Sequence, residues 1–117
     1  MSRKTILIVE DEADIRESLR EAFENRGYSV RCASNGMEAL ELLLRHPPPS
    51  AVVLDLIMPV MSGSELYAAM QADPVLSNIP VIVSTSDPSR APQNAVVLKK
   101  PIDLRVMLMM VDAVSVS

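Results

Sequence analysis

The sequence predicts an α/β fold, a doubly wound five-stranded parallel sheet with helices on both faces. Three observations predict it. Val52-Val53-Leu54-Asp55-Leu56-Ile57-Met58-Pro59 is an apolar run broken by one acid, the pattern of a strand buried on both sides. Short apolar runs alternate along the chain with segments whose apolar residues recur at helical spacing. Polar residues collect at the carboxyl ends of those runs, the edge at which open parallel sheets bind ligands.

Composition agrees. The 117 residues fit one domain, 1–117, large enough to bury a core. Hydrophobic residues make up 49% and aromatics only 3%, so Leu, Val, Ile, Ala and Met must fill that core. A net charge of -4 offers no clustered basic surface, and direct nucleic-acid binding is not expected. The single cysteine, Cys32, has no Cys or His partner at metal spacing and reads as a small hydrophobe in a strand. Only four apolar residues separate Thr5 from Glu10, too few for a signal peptide or a membrane span, and no segment of either kind occurs elsewhere. No membrane association is expected, and the default location is cytoplasmic.

The elements follow in order. Thr5-Ile6-Leu7-Ile8-Val9 is a first strand running into Glu10-Asp11-Glu12. From Ala13 to Arg26, Ile15, Leu19, Ala22 and Phe23 mark one helical face, and Gly27 supplies the stop. Tyr28 to Cys32 alternates, as an edge strand does. Ser34-Asn35-Gly36 caps a helix over Met37 to Arg45, with Ala39, Leu40, Leu43 and Leu44 inward; Pro47-Pro48-Pro49 ends it. His46 then lies far from the acids, beside that rigid loop. After the central strand, Ser62-Gly63-Ser64-Glu65 has the form of a capping box opening a helix through Leu66, Ala69 and Met70, which Asp73-Pro74 closes. Ile79 to Val83 is a fourth strand delivering Ser84-Thr85-Ser86. Asp87 to Asn94 holds two prolines and no helical period, a loop or at most one turn. Ala95 to Leu98 is a fifth strand ending in Lys99-Lys100-Pro101, and Asp103 caps a last helix with Leu104, Met107, Leu108 and Val111 inward.

Right-handed crossovers put every strand's carboxyl end on one edge. If the first, third, fourth and fifth strands are neighbours, Glu10, Asp11, Asp55, Thr85 and Lys100 converge there. Three carboxylates held together raise one another's pKa unless a cation compensates them. Magnesium, with its preference for oxygen ligands and for phosphate, suits that place. Lys100 adds a point charge and Thr85 a hydroxyl for phosphate oxygens. An aspartate carboxylate can itself be a nucleophile and become an acyl phosphate. Glu12 and Asp14 read as charges favoured at a helix N-terminus. Lys99 should point away from Lys100, and pattern alone leaves Ser84 and Ser86 as neighbours of Thr85 one register step away. The eight methionines read as packing.

Over nearly its whole length the chain resembles the response-regulator receiver domains of two-component signalling. The resemblance rests on Ile8-Val9-Glu10-Asp11, on Leu54-Asp55-Leu56-Ile57-Met58-Pro59, on Pro80-Val81-Ile82-Val83-Ser84-Thr85 and on Lys100-Pro101, four motifs in the family's order. It implies a flavodoxin-like sheet of order 2-1-3-4-5. It also implies that Asp55 accepts phosphate from a histidine kinase or phosphotransfer protein. Mg2+ would be bound by Glu10, Asp11, Asp55 and the carbonyl of Ile57; Thr85 would be the switch hydroxyl and Lys100 the phosphate contact. Output would pass by contact to a downstream protein, and no turnover is expected beyond phosphorylation and dephosphorylation of Asp55.

The chain departs from the family in three places. Only fourteen residues separate Thr85 from Lys100, so the fourth helix is expected to be shortened or replaced by a loop. Val97 and Ile102 stand where the family commonly has aromatics. Output is therefore expected to run through an ordering or repositioning of residues 86–94 on phosphorylation. The alternative is a phosphorylation-independent pseudo-receiver, an interaction module of the same fold. A Rossmann-type cofactor binder is disfavoured because none of the three glycines forms Gly-x-Gly-x-x-Gly. A phosphatase working through Asp55 lacks a second acid two residues on.

Overall fold

Alternating buried strands and amphipathic helices account for the architecture. The computed structural model describes residues 3–93 and 95–115. Its elements are β1 Thr5–Val9, α1 Ala13–Asn25, β2 Ser29–Ala33, α2 Gly36–Arg45, β3 Ala51–Asp55, α3 Gly63–Gln71, β4 Val81–Thr85, β5 Val96–Lys99 and α4 Leu104–Val114. The strands form one parallel sheet in the order β2-β1-β3-β4-β5, as the resemblance implies.

The two faces of the sheet each build a core. Leu7, Val9, Val52, Leu54, Val81 and Val83 pack with Ala39 and Leu43 of α2 and with Leu66 and Met70 of α3. The alternate residues Ile6, Ile8, Val53 and Ile82 pack with Leu19 and Phe23 of α1 and with Met107 and Val111 of α4. Cys32 lies in β2 against this second core, as read, and burial pushes its thiol up.

Caps and stops fall where the sequence puts them. Asn35 accepts from the Glu38 N–H at 2.9 Å, and the Ser62–Glu65 capping box is complete in both directions. Gly27 takes φ +96°, the left-handed turn that ends α1. His46 caps the C-terminus of α2 and is exposed, at the end of the sheet away from the acids.

Some expectations need correction. β4 runs over Val81–Thr85, two residues later than the apolar pattern indicates. Pro80 has no N–H to donate, so its carbonyl only receives Val52 N–H at 2.9 Å and pairing begins beyond it. The ladder then continues through the hydroxyl residues, with Asp55 opposite Ser84 and Thr85 opposite Lys99. β2 and β5 are each shifted by one residue. Leu44 is 66% exposed, because the buried stripe of α2 is centred on Gly36, Ala39 and Leu43 and leaves Leu44 beyond its edge. Leu104 is also exposed, in the first turn of α4 at the mouth of a cleft shared with Ile15 and Leu19.

Among the described residues no α-helix stands between β4 and β5. The connection carries one 3-10 turn, Pro88–Arg90, whose cap Asp87 accepts from Ser89 N–H. This is the loop with a single turn expected there; Asn94 lies outside the described residues.

At the opposite end of the molecule, Tyr28 joins three elements. Its ring meets Phe23 edge-on at 5.8 Å, and its hydroxyl donates to Asp112 of α4, which also pairs with Arg26. Burial first, then the bond to Asp112, pushes the Tyr28 hydroxyl up to about 12 from its ordinary 10.0. The folded chain holds this proton where the unfolded chain releases it. The contribution is therefore complete below about pH 10 and is lost as pH rises toward 12. Tyr28→Phe removes that titration. Urea unfolding of parent and variant between about pH 9 and 11 should show the shallower decline of stability in Tyr28→Phe; equal slopes would contradict this account.

Candidate functional site

Four strand ends build one crevice of about 360 Å³, lined by Asp11, Glu12, Asp55, Ile57, Thr85, Ser86 and Lys100. Glu10 follows β1 and is only 1% exposed; its backbone N–H is held by the Ala33 carbonyl of β2 at 3.0 Å. Asp55 closes β3 and is 5% exposed, whereas Asp11 faces solvent. One ligand oxygen from each of Glu10, Asp11 and Asp55 lies within 4.8 Å of the others. Lys100, just beyond β5, places Nζ 3.1 Å from Glu10 Oε1 and 3.5 Å from Asp55 Oδ1.

These charges set the protonation of the pair. Burial, then the hydrogen bond to Asp55 and the Asp55 charge, push Glu10 up to about 7. Burial also raises Asp55, against the downward pull of its bond to Glu10 and of the Lys100 charge. Burial pulls the Lys100 ammonium down, but the two carboxylates outweigh it and leave it raised. Near neutral pH the Glu10–Asp55 pair thus holds a proton part of the time, and an added cation would displace it.

The loop after β3 is shaped around Asp55. Ile57 N–H donates to Asp55 Oδ1 at 3.4 Å. Gly63 N–H donates to the Leu56 carbonyl at 2.9 Å, and Gly36 N–H to the Met61 carbonyl at 2.9 Å. Between these anchors Val60 adopts φ 68°, a conformation disfavoured for a β-branched residue. The first turn of α3 lies directly on the acidic residue's backbone: a Cβ on Gly63 would come within 2.1 Å of the Asp55 carbonyl oxygen.

Glu10, Asp11, Asp55, Ile57 and Lys100 therefore gather as expected. Thr85, 1% exposed, lines the same crevice, but its hydroxyl bonds the loop backbone, accepting from Asp87 N–H at 3.2 Å and donating to the Asp87 carbonyl at 3.4 Å. Ser86 also reaches the crevice, whereas Ser84 is buried in the sheet and Lys99 is exposed away from it. Glu12 does more than sit at a helix N-terminus, since its N–H donates to Glu10 Oε2 at 3.3 Å. In the sequence Gly63 stands out only as part of a capping box. A glycine in the first turn of a helix, where it costs stability, was the available signal of a close approach.

A doubly wound sheet of this order with an acidic cluster and a lysine at its carboxyl edge defines a receiver fold. The chain belongs to that family: the family model described as "Response regulator receiver domain" matches residues 6–112. It is 39% identical to response regulator receiver protein CpdR of Brucella abortus (strain 2308) over 107 residues, 87% of this chain and 88% of CpdR. It is 40% identical over 81 residues to response regulator MprA of Mycobacterium sp. (strain KMS), 69% of this chain. The chain spans only 34% of the length of MprA. Among solved structures it resembles the signal receiver domain of a signal transduction histidine kinase from Syntrophus aciditrophicus, with TM-score 0.86, 31% identity, and coverage of 96% of this chain and 89% of that one. It also resembles response regulator protein TrrA of Thermotoga maritima, solved in complex with Mg(2+)-BeF, with TM-score 0.84, 28% identity, and coverage of 95% and 98%.

Gly63→Ala would press a methyl group into the Asp55 backbone. Overpacking of this kind costs about 1–3 kcal/mol, and circular dichroism melts should show a lower midpoint for the variant. An unchanged midpoint would mean that α3 can withdraw from Asp55 freely.

Proposed function

We propose that the chain is a phosphoacceptor receiver: Asp55 takes a phosphoryl group from a histidine kinase or phosphotransfer protein, and the result passes by contact to a downstream protein. The carrying observation is the approach of Glu10, Asp11 and Asp55 to within 4.8 Å, with the Lys100 ammonium against two of them. The donor set fits magnesium, being all oxygen, few in number and open to water at Asp11. Glu10, Asp11, Asp55 and the Ile57 carbonyl would hold the ion, and when bound it would neutralise the acids and polarise the phosphoryl oxygens.

The chain's own groups do the rest. An ionised Asp55 Oδ forms a bond to phosphorus as the phosphorus–nitrogen bond of the phosphohistidine breaks, its electron pair leaving with the imidazole. Lys100 shifts from the acids to the new negative charge, and the Thr85 hydroxyl turns from Asp87 to a phosphoryl oxygen. Ile57, two residues beyond Asp55, offers no acid to a leaving group, so turnover stops at loss of the domain's own acyl phosphate. Nothing in the geometry favours the phosphate-independent reading, because the acids and the lysine meet where phosphate chemistry needs them. Among the described residues no helix is long and apolar enough to cross a membrane, and a cytoplasmic place of action fits this role.

Intact-mass spectrometry after incubation with acetyl phosphate and Mg2+ should show one phosphate adduct on the parent chain and none on Asp55→Asn or without Mg2+. A parent chain without an adduct would sink the proposal. Turning the Thr85 hydroxyl breaks both of its bonds to Asp87, so the 3-10 turn at Pro88–Arg90 should be released. Amide exchange in beryllofluoride and Mg2+ should therefore change over residues 86–93, and unchanged exchange there would rule out this loop as the output.

A further inference from the structure

Adjacent residues of an extended strand point to opposite faces, yet Glu10 and Asp11 both bring a carboxylate oxygen to Asp55. The backbone must turn between them, and β1 does end at Val9. Such a turn takes the Glu10 and Asp11 carbonyls out of the ladder and leaves them in need of donors. Among the described residues their hydrogen bonds come from Arg16, one turn into α1: a single guanidinium nitrogen, Nη1, donates to the Glu10 carbonyl at 2.8 Å and to the Asp11 carbonyl at 3.4 Å. Arg16 makes no ion pair with a carboxylate among the described residues. Its charge is spent on backbone carbonyls, so what it fixes is the shape of the turn.

We infer that Arg16 is a positioning residue for the divalent-cation site, clamping the turn that swings the Glu10 and Asp11 carboxylates to the same side. The inference rests on the proposed cation site and adds a residue that touches neither cation nor phosphate. It has a sign that charge alone would reverse. A guanidinium near a cation site repels the cation, so deleting it should tighten binding if charge governs and loosen binding if shape governs.

Isothermal titration calorimetry with Mn2+ separates the two. Groups that orient metal ligands typically change affinity by about 10–100-fold, and Arg16→Met should bind Mn2+ at least about tenfold more weakly than the parent. Arg16→Lys, whose ammonium can still donate to a carbonyl, should fall between them. Asp11→Asn serves as the control for the cation site. If the parent binds Mn2+ in an Asp11-dependent manner and Arg16→Met binds it as tightly or more tightly, the positioning role is overturned and the cation site stands. If the parent shows no Asp11-dependent binding, the cation site falls and the inference falls with it. Should Arg16→Met not fold, Arg16→Lys decides: a weaker constant supports the clamp and an unchanged one overturns it.

Discussion

Three carboxylates meet at one end of this sheet, and the rest of the structure accommodates their repulsion. Glu10 and Asp55 are both buried, so each carries a desolvation cost as well as the charge of the other. Lys100 is the chain's own answer. Its ammonium reaches both acids and stays charged because they outweigh its burial.

The scaffold holds that arrangement through backbone contacts more than through side chains. Strand register aligns Leu54 with Val9 and Ser84 with Asp55, so neighbouring strands end together at the crevice. Lys100 N–H donates to the Thr85 carbonyl at 2.8 Å, tying the lysine to the hydroxyl. The loop beyond β3 is pinned by Gly36 and Gly63, each with no room for a Cβ. Those anchors keep Val60 left-handed at a cost on the order of 1–2 kcal/mol.

Much of this was legible in the residues, for identifiable reasons. A buried parallel strand has to be apolar on both faces, so the acid at position 55 stood out. Capping residues announce themselves by chemistry, as Asn35 and Ser62 do. The absence of helical period over residues 87–93 correctly indicated a loop with one turn. What was missed depends on the third dimension. The start of β4 was misplaced because Ile79 is buried without being paired, and apolarity alone does not distinguish the two. Leu44 fits a helical face by spacing but lies outside the stripe that the sheet covers. Arg16 lies off the apolar face of its helix and belongs to no motif, and only the turn at Glu10–Asp11 gives it partners.

The short connection between β4 and β5 also bears on how the chain comes together. Ile82 lies opposite Val96, fourteen residues on, whereas Ile6 lies opposite Ala51, forty-five residues on. Loop-closure entropy makes the longer pairing costlier by about 1 kcal/mol. The half of the crevice that carries Thr85 and Lys100 is thus the local half, and the half that carries the acids is the distant one. A chain closing its cheaper loop first has the lysine at the sheet edge before the carboxylates are driven against one another, so the search for the native state need not pass through the bare repulsion of Glu10 and Asp55.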